Sequence, residues 1–135
     1  ESGAVASAVA WAEPHLADEP VLIYSTAEPD AVRAVQDALG AERSAALIER
    51  VLAAIARELV DAGVRQLIVA GGETAGAVTA ALGVRLLRIG REIDPGVPWT
   101  VSIPTHPAGP PIALALKSGN FGAPAFFLDA WSRVQ

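Results

Sequence analysis

The sequence contains no cysteine and no methionine in 135 residues. Disulfides, thiolate metal sites and thiol nucleophiles are therefore excluded. Position 1 is a glutamate, so the chain reads as part of something longer. No apolar run approaches the roughly 18 residues of a membrane span. The N-terminus also lacks the basic start of a secretory signal. No membrane partner and a cytoplasmic location follow as expectations. The ten basic side chains are scattered, fifteen acidic ones oppose them, and the net charge is −5. That balance argues against nucleic acid as a partner. His15 and His106 are the only histidines, and neither has a neighbour at metal-ligand spacing, so no zinc site is expected.

Apolar residues make up 52% of the chain, which is high for a free-standing domain, although alanine supplies much of it. Part of that surface is expected to be covered by something outside the chain. The length fits one domain. Strand-like and helix-like segments alternate, which points to an α/β layer fold. The specific expectation is a mostly parallel sheet with helices on both faces, in three Rossmann-like layers.

Helices are expected over Gly3–Leu16, Pro29–Leu39, Ser44–Ala62 and Pro124–Val134, with a short one ending at Leu82. The third is the clearest, because Ile48, Leu52, Ile55 and Leu59 share a stripe with Val51 beside it. Strands are expected at Val21–Ser25, Gln66–Ala70, Val84–Ile89 and Ile112–Leu116. Arg91–Pro111 holds six of the ten prolines, so it reads as loop with an edge strand near Trp99–Ile103.

A glycine-rich turn follows a strand twice. The first is Gly71-Gly72-Glu73-Thr74-Ala75-Gly76, leading into a helix. Glycine allows a sharp turn and close approach of a ligand to the backbone. The helix start adds unpaired N–H groups and the positive dipole end, which favour phosphate. Thr74 can donate its hydroxyl to phosphate or cap the helix. Glu73 would repel phosphate unless Mg²⁺ lies between them, which makes it the candidate metal residue. Neither the Walker A pattern nor G-x-G-x-x-G is present. Tight glycine turns are also ordinary α/β architecture.

The second turn is Lys117-Ser118-Gly119-Asn120-Phe121-Gly122. Lys117 is the only lysine and Asn120 the only asparagine in the chain. A lysine ammonium is a compact charge suited to phosphate, and Asn120 can hydrogen-bond base, ribose or phosphate. Both turns lie at carboxyl ends of strands, where open α/β sheets bind ligands. A shared anion site is therefore expected. Tyr24 and Trp99 are candidates for stacking on a base, with Trp99 expected to pack on the sheet instead. Asp94 precedes Pro95-Gly96 and is read first as turn chemistry, with a role at Mg²⁺ or in the site lining as the lesser alternative.

Four segments carry a resemblance: Gly71-Gly72-Glu73-Thr74, Ala81-Leu82-Gly83-Val84, Ile93 through Trp99, and Leu114 through Gly122. In this order, and with Val21 through Ser25, they closely resemble the C-terminal part of the four-carbon acid sugar kinase family. The resemblance covers nearly the whole chain. It implies that residues 1–135 form one nucleotide-binding domain of a two-domain kinase whose N-terminal substrate domain is absent here. It further implies that Gly71, Gly72, Glu73 and Thr74 contact the phosphates of ATP or their Mg²⁺, with Ser118, Gly119 and Asn120 forming the other lip. The substrate would be a sugar acid of the 3-oxo-tetronate, threonate or erythronate type, bound through the absent domain. The catalytic residues would lie there too, leaving this part inactive alone. A homo-oligomer is a further expectation. Ala75 departs from a common serine, and Ala123 and Ala125 from a common glycine and acid.

Two other functions fit the residues. One is a dinucleotide-binding oxidoreductase module, with Glu92 about 20 residues downstream as its ribose acid. The other is a ligand-sensing domain without catalysis.

Overall fold

A computed structural model describes residues 2–25, 37, 40–104 and 109–133. His106 lies outside them, as does the helix expected over 29–39 apart from Asp37. The chain opens with α1 (Ser2–Ala12) and a 3-10 turn (Glu13–His15). Pro14 sits at the start of that turn, where its missing N–H is harmless. The long α2 (Ala41–Asp61) follows, then β1 (Gln66–Ala70) and α3 (Gly72–Ala81). Next come β2 (Leu87–Asp94), β3 (Val97–Ser102) and β4 (Ala113–Lys117). A helical turn α4 (Phe126–Asp129) runs into a final 3-10 turn (Ala130–Arg133).

The α/β expectation holds, but the sheet is mixed rather than mostly parallel. Its order is β1-β4-β3-β2. Only β1 and β4 run parallel, while β3 is antiparallel to both of its neighbours. The departure from a Rossmann-like plan comes from the proline-rich stretch read as loop. Pro95 followed by Gly96 at φ +81° makes a tight corner, so β2 and β3 form a hairpin. β3 is therefore an interior strand, not an edge. Pro98 is tolerated because β4 pairs with β3 only from Trp99 to Val101. On its other side Pro98 faces Glu92, where the β2 register shifts, so the ladder loses no regular bond there.

Val21–Ser25 was expected to be a strand and is not one. It is irregular, and Val21 and Ile23 lean on the cluster of Val5, Val9, Ile55 and Leu59. A short apolar run packs equally well without a ladder. The stripe on α2 is also wider than the spacing predicts. Ile55 and Leu59 face α1, while Ala53 and Ala56 bury a second face against Val69 and Val78. Ile48 is exposed. The small alanines let α2 and α3 approach closely.

Helical elements flank both faces of the sheet. Val69 and Leu116 pack toward α2 and α3. The alternate residues Ile68 and Ala115 pack toward Phe126 and Ala130. Phe126 is 1% exposed, and full burial of such a ring stabilises by about 1.5–3 kcal/mol. Trp99 is on that face as well. Its indole N–H donates to the Ala130 carbonyl at 3.0 Å, and its ring lies 5.8 Å from Trp131. That seals the C-terminal turns onto the sheet and removes Trp99 as a stacking platform.

Candidate functional site

β1 and β4 end level with each other. Ala70 pairs with Lys117, and the Gly71 N–H donates to the Lys117 carbonyl at 2.8 Å. The strands are parallel, so the two glycine turns leave from the same end of adjacent strands. Parallel pairing therefore puts Gly71–Thr74 and Lys117–Asn120 side by side.

The first turn is shaped by Gly71, whose φ of +105° suits glycine and not an L side chain. Its carbonyl accepts the Ala75 N–H at 2.9 Å, which starts α3. No side chain caps that helix. The first-turn amides thus keep their unpaired donors, and the dipole adds positive potential. A Cβ built on Gly72 would meet nothing within 4 Å, so the space over these amides is open. Thr74 is half-buried with its hydroxyl close to Gly71. Glu73 is exposed in the first helical turn, where a carboxylate is favoured by the dipole alone.

The second turn is held from within. The Phe121 N–H donates to the Ser118 carbonyl at 3.2 Å. The Lys117 ammonium donates to the Gly119 carbonyl at 2.8 Å and lies 3.5 Å from that of Ser118. The cation read as a phosphate partner is thus engaged by its own loop in this structure. Ser118, Gly119 and Asn120 are all exposed, and nothing lies within 4 Å of a Cβ built on Gly119.

Two further residues shape the second turn. Gly122 has φ +93° and is wedged against Phe126 and the Lys117 stem. Asp94 accepts the Ala123 N–H at 2.8 Å across 29 residues, which ties the second turn to the β2–β3 corner. The sequence signal for Gly122 is its place in the glycine-rich run, and for Asp94 its turn position, with a role at Mg²⁺ or in the site lining as the lesser reading; neither reveals the contacts seen here.

Glu92 stands on β2, the edge strand farthest from β1, and its carboxylate accepts the Gly96 N–H at 2.9 Å. It is not at the end of a strand next to the first turn, as a ribose-binding acid would be. Tyr24 is 67% exposed and remains open to a stacking partner. His15 is exposed beside Glu19. Among the described residues no cluster of three metal-ligating side chains occurs. An open groove of about 600 Å³ runs between α2 and α3, lined by Ala46, Glu49, Ala53, Ala77 and Ala81 among others. It includes no residue of either glycine turn and offers mostly methyl groups.

A family model described as nucleotide-binding C-terminal domain matches residues 1–127. The 3-oxo-tetronate kinase of Burkholderia multivorans is 61% identical over 123 residues, which are 91% of this chain and 28% of that protein. The 3-oxo-tetronate kinase of Pseudomonas fluorescens is 62% identical over 114 residues, 84% of this chain and 26% of that protein. The chain thus spans little more than a quarter of the curated relatives it matches. A solved Haemophilus influenzae structure superposes with a TM-score of 0.82 at 37% identity, covering 96% of this chain and 30% of that one. A Bordetella bronchiseptica structure, described as a domain-swapped dimer with bound citrate, gives 0.52 at 28% identity over 62% of this chain and 21% of its own. These matches bear out the resemblance to the C-terminal part of the four-carbon acid sugar kinases.

Proposed function

This chain belongs to the family of nucleotide-binding C-terminal domains, and on that premise we propose that it holds ATP for a kinase acting on a four-carbon sugar acid. The observation that carries the reading is the hydrogen-bonded pairing of the two turns at Ala70 and Lys117. One offers the free amides of a helix start, and the other an exposed glycine backbone. Both suit a chain of phosphates.

Phosphoryl transfer asks a protein mainly to position groups and stabilise charge. Gly71 and Gly72 keep the α3 start bare, so that phosphate oxygens can reach its amides. The Thr74 hydroxyl is close enough to that start to donate to the same oxygens. Gly119, with Ser118 and Asn120, forms the opposing lip. Mg²⁺ commonly takes one carboxylate, with phosphates and waters filling its other positions. Glu73, exposed at the helix start, fits as that single carboxylate. Such an ion, when bound, neutralises charge on the transferring phosphate.

The acceptor is a hydroxyl of a sugar acid of the 3-oxo-tetronate type, named from the relatives. The base that activates it belongs to polypeptide beyond this domain. Closure of that part over the turns would exclude water. Turnover by these 135 residues alone is therefore not expected. A location where ATP is available, the cytoplasm, suits this reading. Among the described residues no helix is long and apolar enough to cross a membrane. Self-association is proposed from the domain-swapped Bordetella relative.

Calorimetry with ATP and Mg²⁺ tests the reading against a Thr74→Val, Gly119→Val double variant. The expected loss is at least about tenfold in affinity, or about 1.4 kcal/mol. Unchanged binding by the variant, or tighter binding of NAD than of ATP, would remove the case for a triphosphate site.

A further inference from the structure

We infer that Lys117 and Asp94 are positioning residues that clamp the second glycine turn with its outer peptide edge turned toward the ligand. The inference rests on the nucleotide reading for its ligand, but the clamp itself is a property of the free protein.

The argument starts from peptide geometry. In a trans peptide the C=O of one residue and the N–H of the next point in opposite directions, and the described residues include no cis bond. The Lys117 ammonium holds the Gly119 carbonyl at 2.8 Å, so the Asn120 N–H points away from it. The Ser118 carbonyl, 3.5 Å from the same ammonium, turns the Gly119 N–H the same way. Among the described residues neither amide has a partner. Two adjacent free donors on an exposed glycine loop make an anion-binding edge.

The lysine reaches its post along the other side of the loop. Its Cε lies 3.2 Å from a Cβ built on Gly122, and the Phe126 ring adjoins the same point. Phe126 belongs to the core on the Ala115 side of the sheet, opposite the side covered by α3. The ammonium thus sits behind the loop and not over the helix start. At the far end, the Asp94 carboxylate takes the Ala123 N–H at 2.8 Å. Ile93, beside it, is 2% exposed in the core, so this anchor is fixed to the sheet. The turn between residues 118 and 123 is pinned by a cation at one end and an anion at the other. Neither side chain has to touch phosphate to matter, because the geometry of the amides depends on the hydrogen bonds that both make.

The test combines amide hydrogen exchange of the nucleotide-free chain with affinity for ATP and Mg²⁺. The variants are Asp94→Ala, Asp94→Asn and Lys117→Met. Asparagine retains an acceptor oxygen for the Ala123 N–H, while losing the charge and exchanging the other oxygen for an NH₂ donor. Asp94→Ala and Lys117→Met should each speed exchange of the hydrogen-bonded Phe121 and Ala123 amides about fivefold to tenfold and weaken ATP binding by a similar factor. Asp94→Asn should stay within about twofold of the parent in both measurements. Unchanged exchange in Asp94→Ala and Lys117→Met would overturn the clamp. So would an Asp94→Asn variant that loses as much affinity as Asp94→Ala with a quiet loop, since that outcome assigns the carboxylate to the metal or ligand. If the parent chain binds no nucleotide, the exchange measurements still decide the clamp, and only the nucleotide reading fails.

Discussion

Replacing Gly72 with valine should leave the fold intact and abolish measurable nucleotide binding. Gly72 is the first residue of α3, it is exposed, and a side chain there meets no protein atom within 4 Å. Its backbone is not in the left-handed region. Valine is a better helix residue than glycine by a few tenths of a kcal/mol, roughly 0.3. A thermal midpoint within about 2 °C of the parent is expected. The same side chain covers the amides that would hold phosphate. Loss of two charge-assisted hydrogen bonds at about 1.5 kcal/mol each corresponds to more than about a hundredfold in affinity. Paired melting and calorimetry check both halves. A variant that melts normally and still binds ATP would show that phosphate does not rest on the α3 first-turn amides. Gly71 is the wrong place for this test, because its φ of +105° would mix backbone strain with blockage.

Gly122→Ala should do the reverse and damage stability first. Its φ of +93° is one that side chains rarely adopt. The added Cβ would stand 2.9 Å from Phe126 Cδ2, 3.0 Å from Cγ and 3.2 Å from Lys117 Cε. The strained backbone costs about 1–3 kcal/mol. Crowding a core ring adds a comparable amount. The two relax together, so a net loss of about 2–4 kcal/mol is expected, or on the order of 10 °C in the midpoint. Denaturant melts measure this directly. A loss below about 0.5 kcal/mol, the usual size of a surface substitution, would show that the loop can swing away from Phe126. In that case the second turn is not a rigid lip.

The two substitutions separate the roles of glycine in the two turns. One glycine leaves room for a ligand, and the other leaves room for the protein itself. Composition cannot distinguish them, because both are single letters in a glycine-rich run. The difference lies in what stands opposite, and for Gly122 that is a ring in a helix formed after the turn.

Local features were legible wherever the signal is local. Gln66–Ala70 is a short apolar run stopped by glycine, and it is a strand. Ile55 and Leu59 follow the helical period and are buried. The rarity of Lys117 and Asn120 marked the second turn, and strand pairing puts that turn beside the first. What the residues could not reveal is long-range. The place of β3 inside the sheet depends on β4, which begins about a dozen residues later in the chain. Prolines in that stretch suggested loop, although Pro98 lies where β4 makes no demand on it. The partner of Asp94 is 29 residues away. The Lys117 ammonium is engaged by the carbonyls of its own loop, so its scarcity pointed to the right loop without revealing which side it serves.

The account depends on triphosphate being held between the two turns, and a structure with Mg²⁺ and a non-hydrolysable ATP analogue tests that most directly. Phosphate oxygens are predicted within about 3 Å of the α3 first-turn amides on one side and of the Gly119 and Asn120 amides on the other. A nucleotide seated in the groove between α2 and α3, with both turns bare, would contradict it.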